Sequence, residues 1–161
     1  MRVIGIDPGY DRLGIAIVEK DENGNKEKVV FSDCFETNKK EPLPDRMHAA
    51  GKYFERILKE YSPDALSLET LFFNQNKKTV MGVSAIRGII MYLAKEHSCE
   101  IFEYHPQEIK VAVTGYGKSD KESVTSMVMQ LVSNCPTNAK DDEYDAIAIA
   151  ITALAHNGRT Q

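Results

Sequence analysis

Four carboxylates are the side chains in this sequence whose types and spacing could do chemistry. Asp7 and Glu69 each follow directly after a short apolar run, Val3 to Ile6 and Ala65 to Leu68. Ligands of α/β sheets gather at the carboxyl ends of strands, so these two acids can meet if the two strands are neighbours. Taken singly, each acid is better explained as a surface residue of a turn, where Asp is common. The pairing is therefore a hypothesis that depends on the order of the sheet.

The other two carboxylates lie near the start of the last predicted helix. Asp142 and Asp145 are three residues apart, which places them on one helix face with their Cβ atoms about 5–6 Å apart. Acids in a first helical turn also complement the helix dipole, and this explains Asp142 without any chemistry. Asp145 fits that explanation less well, because it leads into the apolar run AIAIAITALA, which is typical of a buried helix. A carboxylate at such a position needs a partner or a metal.

Together the four acids indicate a two-metal site. Oxygen ligands with few nitrogens nearby favour magnesium or manganese over zinc or copper, and two Mg²⁺ ions would balance four carboxylates, with Mn²⁺ able to substitute. Two such ions hold the attacking and leaving oxygens of a phosphoryl displacement, one activating a water and the other stabilising the departing 3′ oxygen. No Ser-His-Asp or Cys-His arrangement competes, and the three cysteines lack zinc-ligand spacing, so we interpret them as free thiols.

The elements that must position these acids follow from the apolar patterning and the turn residues. Pro8 disfavours helix at Asp7 and so places this acid at the end of an extended strand. The predicted strands run from Val3 to Ile6, Gly14 to Val18, Val29 to Phe35, Ala65 to Leu68 and Ile101 to Tyr104, with a hairpin turn at Asp21 to Asn25. The predicted helices run from Pro44 to Tyr61, Thr79 to Glu96, Gln107 to Val113, Ser119 to Val132 and Asp141 to Ala155. This order predicts an α/β fold with a five-stranded mixed sheet flanked by helices.

Length, composition and charge limit the class of protein. With 161 residues, 42% hydrophobic and 27% charged, the chain suits a single globular domain over residues 1–161. It has no apolar run of about 18 residues, and its first residues lack a signal-peptide pattern, so we expect a cytoplasmic protein with no membrane association. The net charge of −4 argues weakly against a nucleic-acid partner. Residues 70–95, however, contain no acid and four basic residues, Lys77, Lys78, Arg87 and Lys95.

Four segments of the chain resemble one known family, in that family's order. They are IGIDPGYDRLG, LETLFFNQNKKT, YHPQEIKVAVTGYGKSDKESV and DDEYDAIAIAI, and they span nearly the whole sequence. With them the chain resembles the RuvC family of bacterial Holliday-junction resolvases, which implies a ribonuclease-H-like fold and magnesium-dependent nicking of a four-way DNA junction. The resemblance also implies that the catalytic metal ligands are Asp7, Glu69, Asp142 and Asp145.

The resemblance further implies a set of DNA contacts. Phe72 matches an aromatic residue associated with opening the junction, where it could stack on an unpaired base, although by itself it is equally well explained as a core Phe. Lys110 and Lys121 match lysines near the scissile phosphate, and Lys118 lies on the loop between them. Glycines at both ends of 115–117 frame a flexible loop that could approach a phosphate. A lone lysine is ordinarily a solvated surface charge.

Partners are implied in the same way. The resemblance implies a homodimer that nicks two strands of like polarity symmetrically in recombination and repair, and a branch-migration motor of the RuvA and RuvB type. The helix from Thr79 to Glu96 carries an apolar stripe, but such a stripe is more often core than interface. The chain departs from the family at Leu13, where Thr is frequent, and at Glu143 and Tyr144, where small residues are frequent. Neither departure removes a ligand.

Three alternative functions remain open at this point. An ATPase of the actin, Hsp70 and sugar-kinase type also begins with an Asp-x-Gly turn, but it needs two lobes and a second phosphate loop. A related nuclease of ribosomal RNA precursors shares the early and late Asp, but is not expected to carry Phe72 together with Lys110 and Lys121. A catalytically inactive junction-binding scaffold is disfavoured because all four acids are present.

Overall fold

The computed structural model describes residues 1–20, 26–71 and 77–157, with the main chain alone at 77–79. The strands of this part of the chain are β1 (Arg2–Asp7), β2 (Arg12–Lys20), β3 (Glu27–Glu36), β4 (Ala65–Glu69), β5 (Glu100–Tyr104) and β6 (Val132–Ser133). The helices are α1 (Leu43–Tyr61), α2 (Lys77–Glu96), α3 (Pro106–Thr114), α4 (Lys121–Leu131) and α5 (Asp141–Asn157).

The six strands form one mixed sheet in the order β5-β4-β1-β2-β3-β6. β1, β2 and β3 are antiparallel, whereas β4 pairs in parallel with both β1 and β5. The strands that precede Asp7 and Glu69 are therefore neighbours, as the sequence-based hypothesis requires. Ile6 is the Cα partner of Leu68, and each acid is the next residue along its strand. Both acids consequently lie at the same edge of the sheet.

Helices cover the sheet on both sides, which explains why its central strands are apolar at almost every position. On one side, called here the α1–α2 face, Ile6 and Leu68 pack against α1 and α2. On the other side, called here the α5 face, Val3 and Ala65 pack against α5, with α3 and α4 beside it. Strand side chains alternate between these two faces, so each acid lies on the face opposite to that of the residue before it.

Two glycines allow α5 to lie directly against the main chain of the sheet. A Cβ atom on Gly5 would lie 2.1 Å from the carbonyl oxygen of Ala146, and one on Gly14 would lie 2.1 Å from that of Asp142. No side chain fits at such distances, so glycine is required where β1 and β2 cross the helix. The close approach brings the first turns of α5 next to the end of β1.

The structure corrects the predicted number of strands. The five expected strands are present, but the short β6 adds a sixth by pairing in parallel with β3. The predicted helix from Ser119 to Val132 included part of β6, whereas α4 begins at Lys121 and ends at Leu131. Two residues are too few to show an alternating pattern, which is why the sequence did not indicate this strand. The predicted hairpin turn, Asp21 to Asn25, lies outside the described residues.

Two further expectations can be compared with the structure. The three cysteines are free thiols, with Cys34 and Cys99 buried and Cys135 half-buried. Across the described ranges, no helix combines the length and the apolar character needed to cross a membrane.

Candidate active site

Asp7 and Glu69 both project from the α5 face of the sheet. Ile6 and Leu68 pack on the opposite face, so the residues after them point towards α5. Ser67, two positions before Glu69, confirms this alternation because its hydroxyl donates a 2.8 Å hydrogen bond to the carbonyl of Ile149 in α5. Both strand-end acids are therefore half-buried beneath the first turns of the last helix.

The first turns of α5 bring the other two acids to the same place. Asp7, Glu69 and Asp145 line one pocket together with Lys110 and Lys121. Asp142 does not line the pocket, but its charge acts on Asp7 through the low-dielectric interior. The structure thus brings three of the four predicted carboxylates, from two strands and one helix, to one pocket, and places Asp142 one helical turn before Asp145, outside the pocket lining.

The shifted pKa values show that acids outnumber cations here. Burial raises the pKa of Asp7 to about 7, and the neighbouring charges of Asp145, Asp142 and Glu69 act in the same direction. Burial and the charge of Asp145 also raise the pKa of Glu69. Burial raises the pKa of Asp145 even though Lys121 donates a hydrogen bond to it. A cluster of this kind is typical of a site that a cation completes.

One carboxylate oxygen has no hydrogen bond. Asp142 Oδ2 is buried and has no hydrogen-bond partner in the described part of the chain. Arg12 Nε lies 3.5 Å from it, which makes an ion pair but not a hydrogen bond of good geometry. A buried oxygen of this type is costly unless something else satisfies it. Together with an all-oxygen donor set, this observation fits a hard divalent cation such as magnesium.

The side chains are not yet arranged as a complete set of ligands. Within the described ranges, no group of three or more His, Cys, Asp or Glu side chains is placed so that it could hold a metal ion. Lys121 Nζ lies 3.1 Å from Asp145 Oδ2 and 3.3 Å from Asp141 Oδ2, so this lysine provides part of the missing positive charge. Carboxylates at close range repel one another unless a cation neutralises their charge.

The lysines predicted to contact DNA occupy different positions. Lys110 and Lys121 line the pocket, whereas Lys118 is exposed outside it. The loop that carries Lys118 is held by hydrogen bonds, because Thr114 Oγ1 and Ser119 Oγ lie 2.7 Å apart. Gly115 ends α3 with a φ of 75°, a conformation that glycine adopts at no steric cost. This loop is thus a hydrogen-bonded turn, and its predicted flexibility stays a prediction.

Several residues of this region were not identified from the sequence. Arg12 and Asp141 pair with Asp142 and Lys121, respectively, but no spacing rule connects residues so far apart in the chain. Arg87, one of the four basic residues of 70–95, has a buried side chain. Phe72, the predicted junction contact, lies outside the described residues.

Comparison with known proteins identifies the family. The family model described as crossover junction endodeoxyribonuclease RuvC matches residues 3–153. The chain is 39% identical to RuvC of Thermosipho melanesiensis, over 93% of this chain and 94% of that protein. It is 39% identical to RuvC of Alkaliphilus metalliredigens, over 100% of this chain and 96% of that protein.

Solved structures agree with the sequence matches. The structure of Thermus thermophilus RuvC superposes with a TM-score of 0.87 at 27% identity, over 99% of this chain and 96% of that one. The same protein in complex with a Holliday junction substrate gives a TM-score of 0.90, over 98% and 94% of the two chains. The predicted α/β, ribonuclease-H-like fold is therefore confirmed, with six strands in place of five. The chain belongs to the RuvC family of crossover junction endodeoxyribonucleases, which are metal-dependent nucleases.

Proposed function

We propose that this protein resolves Holliday junctions by nicking two DNA strands of like polarity at symmetric positions, in recombination and repair. The observation that supports this most strongly is the pocket where β1, β4 and α5 meet, which Asp7, Glu69 and Asp145 line in a chain of the RuvC family. The likeness to the Thermus thermophilus complex with a junction supports a four-way DNA substrate.

We propose further that Asp7, Glu69, Asp142 and Asp145 hold two Mg²⁺ ions, for which Mn²⁺ can substitute. When bound, the ions supply Lewis-acid stabilisation of the attacking and leaving oxygens of the phosphodiester. The carboxylates bind and orient the ions through oxygen atoms alone, which matches the preference of magnesium. The excess of negative charge and the unsatisfied oxygen of Asp142 support this assignment.

The basic residues around the pocket are proposed DNA contacts. Lys110 and Lys121 are proposed to neutralise a phosphate of the substrate, and their position in the lining of the pocket supports this role. Lys118 is exposed on the neighbouring turn and is assigned to a phosphate further along the strand. For Phe72, stacking on an unpaired base at the crossover is proposed from the family resemblance alone.

The oligomeric state and the partner proteins are also proposed from the family resemblance. Symmetric nicking requires two active sites, so the chain is expected to act as a homodimer of single domains spanning residues 1–161. A motor of the RuvA and RuvB type is the proposed partner for branch migration. The proposed location is the cytoplasm, where bacterial chromosomal DNA is found.

The test is cleavage of a synthetic four-way junction of defined sequence in magnesium. We expect paired nicks at symmetric positions in the junction and none in a linear duplex of the same sequence. Asp7→Asn is expected to abolish the nicks while binding of the junction persists. Asp45→Asn, which changes an exposed acid in the first turn of α1, is the matched control and is expected to nick normally.

Other results would favour other functions. Binding of the junction by the unaltered protein without any nicks would contradict the proposal and support a junction-binding scaffold. Preferential cleavage of structured RNA over the DNA junction would instead support an RNA-processing nuclease.

A further inference from the structure

Two arginines are the buried charged side chains of the described residues. Arg46 in α1 is 7% exposed and Arg87 in α2 is 8% exposed. Both come from the α1–α2 face, and neither lines the pocket that holds the carboxylates. Burial of a guanidinium group is costly unless its donors are satisfied, so the partners of each arginine indicate its purpose.

Arg46 binds the turn that follows Asp7. Its Nη2 donates a 3.0 Å hydrogen bond to the carbonyl oxygen of Tyr10 and another to the carboxylate of Asp11. Its Nε donates a 2.9 Å hydrogen bond to Thr37 Oγ1, and Thr37 Oγ1 in turn donates to the carbonyl of Tyr10 at 2.6 Å. The guanidinium also lies over the Tyr10 ring, 5.1 Å from its centroid. These contacts fix the main chain three residues after the first strand-end acid.

Arg87 binds the main chain at the second strand-end acid. Its Nη1 donates a 2.6 Å hydrogen bond to the carbonyl oxygen of Glu69, and its Nη2 lies 2.7 Å from Glu103 Oε2 on β5. The carboxylate of Glu69 points to the α5 face, so the arginine holds this residue by its backbone from the opposite face. One planar guanidinium thereby connects α2, the end of β4 and the neighbouring strand.

The ladder between β1 and β4 does not fix the acids themselves. Its last partners are Ile6 and Leu68, one residue before Asp7 and Glu69. Beyond that point, Asp7 pairs with Gly14 on β2 and Glu69 pairs with Tyr104 on β5, so each strand end is bonded to the strand on its far side. Like charges at these ends favour separation of the two strands. The β1–β4 ladder therefore does not by itself set the spacing of the two acids.

We propose that Arg46 and Arg87 are positioning residues that fix, from the α1–α2 face, the backbone carrying Asp7 and Glu69, and so set the spacing at which these carboxylates share a divalent cation. The inference rests on the proposed metal site. It adds to that function a role for two side chains, Arg46 and Arg87, which set the geometry of the site without contacting the ion or the DNA.

The guanidinium group suits this task better than an ammonium group. Its donors are rigid and coplanar, so it can hold a backbone carbonyl and a carboxylate at the same time in one orientation. A lysine keeps the positive charge but can satisfy only one of these partners with the same geometry. The substitution of Arg by Lys therefore separates loss of geometry from loss of charge.

The test compares Arg87→Lys and Arg46→Lys with a matched control, Arg2→Lys. Arg2 also lies on the sheet and also pairs with a backbone carbonyl and a glutamate, since its Nη1 donates to Tyr61 O at 2.6 Å and its Nε to Glu19 Oε2 at 2.9 Å. It is placed at the opposite end of β1 from Asp7. Any general cost of replacing a structural arginine should therefore appear in all three variants.

The measurements are Mn²⁺ affinity of the DNA-free protein by titration calorimetry, thermal stability, junction affinity and the single-turnover nicking rate. Arg87→Lys and Arg46→Lys are each expected to weaken Mn²⁺ binding and slow nicking by about 10–100-fold, as for other supports of metal ligands, with junction affinity unchanged. All three variants are expected to lower thermal stability, Arg2→Lys the least because its side chain is more exposed, and Arg2→Lys is expected to leave Mn²⁺ affinity unchanged.

Equal Mn²⁺ affinity in all four proteins would overturn the proposal and leave the two arginines a purely structural role. If Arg87→Lys does not fold, Glu103→Gln replaces it, because this variant loosens Arg87 through a half-exposed partner; unchanged Mn²⁺ affinity there has the same meaning. Failure of the unaltered protein to bind Mn²⁺ or to nick a junction would instead contradict the proposed function, so the two failures are distinguishable.

Discussion

Asp7 and Asp11 lie at the two ends of one turn, four residues apart, yet the pKa values of their carboxyl groups are shifted in opposite directions. Burial and three neighbouring carboxylates raise the pKa of Asp7 to about 7. Hydrogen bonds from Arg46, and then from Lys39, hold the pKa of Asp11 below its usual value. The first acid belongs to the α5 face and the second is bound by an arginine of the α1–α2 face.

This contrast separates the two faces of the sheet by their electrostatics. On the α1–α2 face, each buried cation is matched by acceptors, as an ordinary folded protein requires. On the α5 face, among the described residues, acids exceed cations around Asp7 and the buried Oδ2 of Asp142 has no hydrogen bond. Repulsion between buried acids is typical of a site where a ligand relieves it. The hydrogen-bonded arginines of the α1–α2 face supply the rigidity that keeps the acids of the α5 face in place.

The largest difference in nicking rate is expected between two variants that each neutralise one acid, Asp7→Asn and Asp11→Asn. Asp7→Asn is expected to lower the nicking rate by about 1000-fold or more, because loss of a metal ligand removes several kcal/mol of transition-state stabilisation. Its thermal stability without metal should stay equal or rise, since a repelled buried charge is removed. Asp11→Asn should lower stability by about 1 kcal/mol, with a much smaller effect on nicking.

These values are measured by single-turnover junction cleavage and by thermal unfolding in a chelator. A clear loss of stability in Asp7→Asn would contradict the view that this acid is electrostatically unfavourable in the metal-free protein. A loss of nicking in Asp11→Asn as large as that in Asp7→Asn would remove the distinction between the two faces.

The second prediction concerns stability as a function of pH without divalent cations. The pKa of Asp7 is raised on folding, so the folded state binds a proton more tightly than the unfolded state does. The contribution of Asp7 to the free energy of unfolding should therefore be highest below about pH 4. It should fall by roughly 3 kcal/mol as the pH rises to about 7. Asp11 acts in the opposite sense, but only near and below pH 4, where its carboxyl group becomes protonated.

The measurement is urea unfolding in a chelator at several pH values between 5 and 8. Asp7→Asn should show a much flatter profile, and added Mg²⁺ should restore the stability of the unaltered protein at the upper end of the range. Identical profiles for the two proteins would show that Asp7 does not carry the effect.

Much of this arrangement could be predicted from the sequence because it is local. The apolar runs before Asp7 and Glu69 predicted strand ends, and the i, i+3 spacing of Asp142 and Asp145 predicted a shared helix face. In the structure Asp7, Glu69 and Asp145 line one pocket, and the charge of Asp142 acts on Asp7. The identity of the cation and the role of each acid stay predictions.

The arginine contacts of the α1–α2 face could not be predicted from the sequence, because they depend on tertiary packing. Arg87 follows Ile86 in a helix with an apolar stripe, and the sequence identified it only as one of four basic residues in 70–95. Its burial against Glu69 and Glu103 follows from the packing of α2 on the sheet. The two-residue β6 was missed for a related reason, since only the pairing with β3 defines it.

The smallest effects are expected among the lysines of the α5 face, where position relative to the pocket should decide the outcome. Lys121→Met is expected to slow nicking by about 10–100-fold at saturating protein, because Lys121 is paired with Asp145 and lines the pocket. Its stability should change by less than about 1 kcal/mol, since the ammonium group is half-exposed.

Lys118→Met provides the comparison, because Lys118 is exposed outside the pocket on the same side of the molecule. A lysine that only neutralises a phosphate contributes to binding and not to the chemical step, so the saturated nicking rate should stay unchanged. Junction affinity should fall a few-fold at low salt, and the slope of log affinity against log salt should decrease by about 1. The measurement is a salt titration of junction binding combined with single-turnover nicking. If Lys118→Met slowed the saturated rate as much as Lys121→Met does, proximity to the carboxylates could no longer explain which cations on this face take part in cleavage.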